Sequence, residues 1–517
     1  MYNRLSTSRM KVRSMVNSGQ EEALRRINHC FDYKEKTLNL NGLKLDYLPS
    51  EIGGLTQLEE LLLYENNLQT LPSEISNLTR LKVLILSSNQ IESLPEEICN
   101  LIHLEKLHLN FNKLQFLPPE IGNLSQLRVL DIGNNQIQSL PSEIRNLTRL
   151  RTLLLGDNQL QFLPSEIGNL SGLQVLQLEK NQLRSLPSEI GNLTQLRVLH
   201  LENNQLESLP SEIGNLTQLE RLHLEKNRLQ FLPPEIGDLS QLEVLYLYSN
   251  QLQSLPGGIG NLRWLRELNL YSNQLQSLPP EIKNLSRLMV LHLGNNQLES
   301  LPPEIGDLRG LTELYLGDNQ LQSLPPGVGN LSGLRVLQLE NNQLQSLPAE
   351  IGNLSELRVL QLEKNQLQFL PPEIGNLFQL MVLDIGNNQI QSLPSEIRNL
   401  TQLEKLHLEK NQLKYLPPEI GDLRGLTELY LGDNQLQSLP PGVGNLSGLR
   451  VLQLENNQLQ SLPAEINNLT QLRELSPAVN QFQNSLFENL FDKVYERGNS
   501  SRKKRLSKDQ KYQFDIE

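Results

Sequence analysis

The sequence predicts an α/β solenoid with a parallel β-sheet on its concave face and short helical or extended turns on its convex face. The pattern Leu-x-x-Leu-x-Leu-x-x-Asn-x-Leu recurs every 23 residues. The two leucines of its Leu-x-Leu core have the spacing of residues that face the same side of a strand. In the coil around residue 200, Leu199 and Leu201 are therefore expected to point inward, which leaves Val198, His200 and Glu202 exposed. One coil alone cannot cover its leucines, so the coils are expected to stack.

One asparagine occupies the same place in every complete coil. Where the strand ends, the chain must bend and leave backbone groups in the interior, where an unpaired group costs about 1–3 kcal/mol. An amide side chain has two donors and an acceptor, so we expect each asparagine to bridge its own coil and the next one. The eighteen asparagines of this predicted ladder are Asn66, Asn89, Asn112, Asn135, Asn158, Asn181, Asn204, Asn227, Asn250, Asn273, Asn296, Asn319, Asn342, Asn365, Asn388, Asn411, Asn434 and Asn457.

The segment that returns from one strand to the next has the form Leu-Pro-x-Glu-Ile-Gly-Asn-Leu, as in residues 209–216. Its proline fixes φ and is expected to start an extended or one-turn segment on the convex side. This pattern resembles the leucine-rich repeat family, in which one short strand per repeat lines a horseshoe. The resemblance covers roughly residues 37–480. It implies a leucine-rich repeat solenoid.

Both ends of the chain depart from the repeat. A helix is predicted from residue 20 because Ala23, Leu24, Ile27 and Phe31 recur at helical spacing. The predicted division is a disordered basic tail (1–19), an N-terminal capping helix (20–36), the repeat array of 18 full coils with degenerate first and last coils (37–480), a C-terminal capping helix (481–498) and a charged tail (499–517).

Two residues indicate where the array ends. Leu43 stands at the asparagine position of the first coil, and Pro477 replaces the second strand leucine of the last. A proline there cannot donate a ladder hydrogen bond, so the sheet is expected to stop. The apolar stripe within 486–497 is expected to cover the last coil, although the sequence leaves open a helix that docks a partner.

Composition and motifs exclude several functional classes. The net charge is −12, whereas nucleic-acid binding needs a basic stripe. Cys30 and Cys99 are far apart in sequence, which argues against a disulfide framework. The start of the chain has no apolar signal segment, and the sequence has no apolar stretch of membrane-spanning length, so we expect a cytoplasmic location.

No enzyme motif accompanies the array. The N-terminal helix and repeats also resemble the front part of Roco proteins, but a GTPase needs a Gly-x4-Gly-Lys-Ser/Thr loop and the dipeptide Gly-Lys is absent from the sequence. No cysteine follows Cys99, which excludes the thiol ligase of bacterial repeat effectors. We therefore predict a protein that is not an enzyme, with no catalytic residues and no cofactor.

The exposed strand positions are where the coils differ, so they are the candidates for partner contact. Tyrosines are concentrated on neighbouring strands between residues 246 and 271, beside an acidic column formed by Glu179, Glu202 and Glu225. Five histidines, among them His108 and His407, share one exposed position. A metal site at such histidines is less favoured than ordinary contacts, and no metal ligand is predicted. The predicted partner-binding residues are His200, Glu202, His223, Glu225, Tyr246, Tyr248, Asn269, Tyr271, His292 and Tyr315.

Long internal copies show recent duplication within the array. Residues 301–351 and 416–466 are identical, and Val129–Thr148 equals Val382–Thr401. The coils are similar to those of intracellular Ras-group-related and Shoc2-like repeat proteins. That resemblance implies a protein-binding scaffold in intracellular signalling, with a small GTPase or signalling enzyme as partner. Two alternatives stay open: the targeting part of a GTPase system, and an extracellular recognition protein.

Overall fold

The computed structural model describes residues 18–476, 478–480 and 494. Two compact units divide the chain. The first contains the described residues up to Gln251 together with Asn261–Leu265, and the second contains Leu252–Gly260 together with the described residues from Arg266 onward. Each unit is a solenoid of stacked coils with one short strand per coil.

The N-terminal helix α1 spans Ser18–Tyr33. It begins two residues before the predicted helix (20–36) and ends three residues before that helix does. Its buried face consists of Gln20, Ala23, Ile27 and Cys30. Phe31, one of the residues whose spacing predicted the helix, lies outside this face and is 57% exposed. The four buried residues lie at helical spacing and leave position 31 at the edge of the stripe.

Among its described residues, each unit has ten parallel strands of three residues. Within a unit, consecutive strands pair with a constant offset of 23 residues, as in Val198↔Arg221 and His200↔His223. The strands of the first unit are β1 (Thr37–Asn39), β2 (Glu60–Leu62), β3 (Val83–Ile85), β4 (Lys106–His108), β5 (Val129–Asp131), β6 (Thr152–Leu154), β7 (Val175–Gln177), β8 (Val198–His200), β9 (Arg221–His223) and β10 (Val244–Tyr246). Those of the second are β11 (Glu267–Asn269), β12 (Val290–His292), β13 (Glu313–Tyr315), β14 (Val336–Gln338), β15 (Val359–Gln361), β16 (Val382–Asp384), β17 (Lys405–His407), β18 (Glu428–Tyr430), β19 (Val451–Gln453) and β20 (Glu474–Ser476).

The return segments form single 3₁₀ turns, one of the two forms expected after their prolines. After Pro210, the amide of Ile213 donates to the Pro210 carbonyl at 3.1 Å and the amide of Leu216 donates to Ile213 at 3.1 Å. The turns span Ser50–Gly54, Ser73–Asn77, Glu96–Asn100, Pro119–Asn123, Ser142–Asn146, Ser165–Asn169, Ser188–Asn192, Ser211–Asn215, Pro234–Asp238, Gly257–Asn261, Pro280–Asn284, Pro303–Asp307, Pro326–Asn330, Ala349–Asn353, Pro372–Asn376, Ser395–Asn399, Pro418–Asp422, Pro441–Asn445 and Ala464–Asn468.

Leucines fill the space between the strands and the turns. Leu199 and Leu201 are both 0% exposed, as are the equivalent strand leucines of the other full coils. Burying one such side chain contributes about 1.5–3 kcal/mol. The core is therefore a continuous apolar stack inside each unit, and it leaves the alternate strand positions to face outward.

The asparagine ladder forms as predicted, except that it bridges to the preceding coil and not to the next one. Asn204 donates to the carbonyls of Leu178 at 2.8 Å and Leu201 at 3.0 Å. Its Oδ1 accepts from the amide of Leu183 at 3.0 Å. The residue before each of the eighteen asparagines has a left-handed φ of 51° to 57°. The chain therefore bends directly before each asparagine, and the amide of Asn204 pairs with backbone groups of the interior at this bend.

The last described strand is β20, and the ladder continues after it. Asn480 donates to the Leu454 carbonyl at 2.8 Å. Pro477, the tail over 1–17 and the helix predicted over 481–498 lie outside the described residues, apart from Val494, which is helical and buried. Within the described part of the chain, no helix has the length and apolar character needed to cross a membrane.

Candidate functional site

The candidate site is the exposed sheet face, meaning the side chains at the first and third strand positions and at the second residue after each strand. In β8 these are Val198, His200 and Glu202, and all three are half-buried. The leucines between them are buried, so the exposed side chains can change from coil to coil without loss of the core. This face is therefore where a ligand would distinguish one coil from another.

In the first unit, three predicted residues form an aromatic row. The register aligns His200 with His223 and His223 with Tyr246. The two imidazoles stack with their centroids 4.3 Å apart and an interplanar angle of 7°. Tyr246 presents its edge to His223 at 4.9 Å and 73°. Stacked and edge-to-face rings hold one another in place, so this row is a preorganised surface.

The acidic column lies beside that row. The Nδ1 of His200 is 3.3 Å from Glu202 Oε1, and the Nδ1 of His223 is 3.6 Å from Glu225 Oε1. The hydrogen bond with Glu202 raises the pKa of His200 above its ordinary value, against the opposing effect of burial. Burial acts to raise the pKa of Glu202, but the contacts with His200 and with its own backbone amide lower it overall. The His200–Glu202 pair is thus charged on both sides in mildly acidic solution.

Glu179 completes the column in a different environment. Burial raises its pKa, and the neighbouring Glu202 carboxylate raises it further. Its carboxylate lies over Gly156, where a Cβ would collide with it. Tyr248 follows Glu225 on the next coil. Burial raises the pKa of the Tyr248 hydroxyl, and the carboxylates of Glu225 and Glu202 raise it further.

The second unit contains the other four predicted residues. The register aligns Asn269 with His292 and His292 with Tyr315. His292 and Tyr315 stack with centroids 4.0 Å apart and an interplanar angle of 2°. Burial lowers the pKa of His292. Tyr271 is 45% exposed and covers Gly294, whose added Cβ would lie 3.2 Å from the ring.

A second histidine–tyrosine stack lies outside the predicted partner-binding residues. His407 stacks on Tyr430 with centroids 4.2 Å apart, in the second unit. Asp384 lies opposite His407 on β16, and Glu409 Oε1 is 3.6 Å from the His407 Nδ1. The internal copies contained the signal, because Tyr430 is the duplicate of Tyr315 at an offset of 115 residues. Aromatic neighbours on the sheet face are therefore not confined to the region of residues 246–271, where the sequence concentrates its tyrosines.

Comparisons with known proteins agree with this architecture. A family model described as a leucine-rich repeat region matches residues 90–182, 142–221, 175–277, 258–339, 326–411 and 373–495. No curated protein matches the chain. A leucine-rich repeat protein of Leptospira interrogans is similar at 35% identity and TM-score 0.62, with 82% of this chain and 98% of that chain covered.

Two further solved structures are similar over most of their length. The plant peptide hormone receptor RGFR1, in complex with RGF2, has 34% identity and TM-score 0.72 and covers 86% of this chain and 78% of that chain. YopM from Yersinia enterocolitica has 27% identity and TM-score 0.59, with 88% and 94% covered. Because the family model covers more than half of the sequence and the coils show its strand, asparagine and turn pattern, the chain belongs to the leucine-rich repeat family.

Proposed function

We propose that this chain is a non-enzymatic scaffold that binds a protein partner on its exposed sheet face. The leucine-rich repeat fold is a protein–protein interaction scaffold, and members of the family typically bind and do not catalyse. The observation that supports the proposal most directly is the preorganised row of His200, His223 and Tyr246. Large, fixed aromatic side chains lose little conformational entropy when a partner covers them.

The two units offer different chemistry to such a partner. In the first unit the aromatic row lies beside carboxylates, two of which, Glu202 and Glu225, are mostly buried. In the second unit Tyr271 covers Gly294, so the face near Tyr271 has less charge, whereas Gly317 lies under the Glu340 carboxylate. A partner with a basic segment suits the first unit, and an apolar or aromatic segment suits the second.

We place the scaffold in cytoplasmic signalling, with a small GTPase or a signalling enzyme as the partner. Cys30 and Cys99 are both free and buried, which is compatible with a reducing compartment. The choice of partner class rests on the resemblance of the coils to intracellular Ras-group-related proteins.

Burial raises the pKa of Cys99 to about 12, so this thiol is unsuited to nucleophilic chemistry.

The test uses quantitative recovery of proteins from the native cell with the full chain as bait. Two variants remove aromatic contacts, Tyr246→Ala with Tyr248→Ala in the first unit and Tyr271→Ala with Tyr315→Ala in the second. Loss of hot-spot contacts worth about 2 kcal/mol or more should weaken a specific partner roughly 30-fold. Phe162→Ala and Phe369→Ala are matched controls, since these exposed aromatics lie outside the sheet face. A partner recovered equally by all variants would contradict the proposal.

A second candidate is recognition of a peptide outside the cell. It is favoured by the similarity to RGFR1, a peptide hormone receptor solved in complex with RGF2. Cell fractionation and glycan analysis at Asn77, Asn192 and Asn468, each in an Asn-Leu-Ser/Thr tripeptide, distinguish the two. Sugar at these sites in the native protein would favour the extracellular candidate. Unmodified asparagines in a cytoplasmic fraction would favour the scaffold.

A further inference from the structure

Two histidines and two glutamates of the first unit form a compact cluster of possible metal ligands. The strand register places His200 directly opposite His223, and their rings lie parallel at 4.3 Å. One ligand atom from each of His200, Glu202 and His223 lies within 4.8 Å of the others. Glu225 extends the cluster on the His223 side.

The nitrogen–oxygen distances are long for charge-assisted hydrogen bonds and close to the separation of two ligands of one ion. A charge-assisted hydrogen bond between such groups is about 2.7–2.9 Å long. The two Nδ1 to Oε1 distances are 3.3 Å for His200 with Glu202 and 3.6 Å for His223 with Glu225. An ion about 2.1 Å from two tetrahedral ligands holds the ligand atoms about 3.4 Å apart.

Burial leaves part of this cluster without compensation. Glu225 is only 6% exposed. In the described part of the chain, the Oε2 atoms of Glu202 and Glu225 are buried and have no hydrogen-bond partner. A buried carboxylate oxygen without a partner is unfavourable. A cation bound among these side chains would remove that cost.

The neighbouring side chains hold the cluster in position. Tyr246 packs edge-on against the His223 ring and limits its rotation. The Glu179 carboxylate lies on the neighbouring coil, on the other side of Glu202 from Glu225, and adds negative potential. The site is therefore both oriented and electronegative.

We propose that His200, Glu202 and His223 bind a divalent zinc-type ion, with Glu225 as the nearest additional carboxylate. Two imidazoles with one carboxylate are a ligand set that suits Zn²⁺, and three protein ligands leave one coordination position open. The two parallel rings must tilt toward each other to share the ion. This inference rests on the geometry of the cluster alone and is separate from the proposed partner binding.

Zn²⁺ alone is the probe in the decisive experiment. The full chain without a histidine tag is freed of metal with a chelator, dialysed and titrated with Zn²⁺ by calorimetry at neutral pH. His407→Ala serves as the background, since Asp384, His407 and Glu409 form another ligand cluster. We expect one saturable site in that background. Adding His200→Ala and His223→Ala should weaken it more than about 100-fold, because even changes in the groups around metal ligands cost about 10–100-fold.

His292→Ala in the same background is the matched control. His292 has the same strand position, but Gly294 stands where Glu202 would be, so zinc binding should not change. Glu202→Gln tests the site with the smallest change of shape and should weaken binding at least about tenfold. X-ray absorption at the zinc edge should show scattering from two imidazoles.

Three results would overturn the proposal. One is the lack of saturable binding in the His407→Ala background. The second is unchanged affinity after removal of His200 and His223, with folding verified by circular dichroism. The third is a zinc spectrum without imidazole scattering. None of these depends on a protein partner, so the proposed function stands or fails separately.

Discussion

Replacing one ladder asparagine should destabilise the array by an amount that the hydrogen bonds allow us to calculate. Asn204→Ala removes the side-chain acceptor of the Leu183 amide, at 3.0 Å. Leaving this buried amide unpaired costs about 1–3 kcal/mol. The carbonyls of Leu178 and Leu201 each lose one donor but keep another, from Asn181 at 3.1 Å and Asn227 at 2.9 Å. Each lost bond to them costs about 0.5–1.5 kcal/mol, so the sum is about 2–6 kcal/mol.

Two measurements check this expectation. Denaturant unfolding measures the change in the free energy of unfolding for the whole chain, and hydrogen exchange at the Leu183 amide measures the change in local stability. Both are needed because a repeat array need not unfold in one step. Asn215→Ala is the control, since Asn215 is exposed on a 3₁₀ turn. Asn204→Asp should also destabilise, because a carboxylate has no donors for the two carbonyls. If Asn204→Ala changes stability no more than Asn215→Ala does, the ladder has no energetic role and the reasoning is refuted.

Three further perturbations test the electrostatics and packing of the first unit. Glu179→Gln should raise the melting temperature at neutral pH, because burial raises the pKa of Glu179 and penalises its charged form. This increase should vanish below pH 4.5, the ordinary pKa of the carboxyl group, because Glu179 is then protonated in both the folded and the unfolded chain. His200→Ala should lower the free energy of unfolding most between pH 4.5 and 6.5. The raised pKa of His200 stabilises the folded state below pH 6.5, and the lowered pKa of Glu202 stabilises it above pH 4.5. Denaturation at several pH values measures the loss. Gly191→Ala should destabilise by about 1–3 kcal/mol, because its Cβ would lie 2.6 Å from a backbone oxygen of the next coil. Gly156→Ala should cost less in the same melt, since it meets only the movable Glu179 carboxylate.

The repeat pattern predicted the fold because its leucine, asparagine and proline positions impose the same constraints on every coil. A leucine at both strand positions requires a buried face, and an asparagine after the strand requires backbone groups to bind. The proline before each return segment predicted either an extended segment or a single turn, and the structure has a single 3₁₀ turn there. The direction of the asparagine bridge was not predictable, because the amide can satisfy groups of either neighbouring coil and only the handed bend at φ of 51° to 57° selects the preceding one.

The helix at the N-terminus shows why a terminal element is harder to predict. Phe31 has the spacing of a core residue, yet the face that packs on the first coil is centred on Ala23, Ile27 and Cys30. A rotation of the helix by one residue, about 100°, would instead turn Leu24 and Phe31 toward the first coil. The choice depends on the surface of the degenerate first coil, which no periodicity describes.

The candidate site was predictable as a set of positions but not as a set of interactions. Strand periodicity identified the exposed residues, including the five histidines of one strand position. It did not show that His200 and His223 stack or that the Oε2 atoms of their glutamates are buried without a partner among the described residues. These properties depend on side-chain orientations across two coils. The strand positions alone therefore do not show how closely His200, Glu202 and His223 are grouped.

Pairs of adjacent coils, and not single coils, determine the chemistry of this face. A glycine in one coil makes room for the carboxylate of the next, as Gly317 does for Glu340 and its copy Gly432 does for Glu455. Duplication of 51 residues transfers such pairs intact, so new chemistry arises at the junctions of the copied segment. His292 and His407 both precede a copy and both stack on its tyrosine. Burial lowers the pKa of His292, whereas burial of His407 is outweighed by Glu409 and Asp384, which raise its pKa. Duplication at a junction has thus placed one histidine–tyrosine stack in two electrostatic environments.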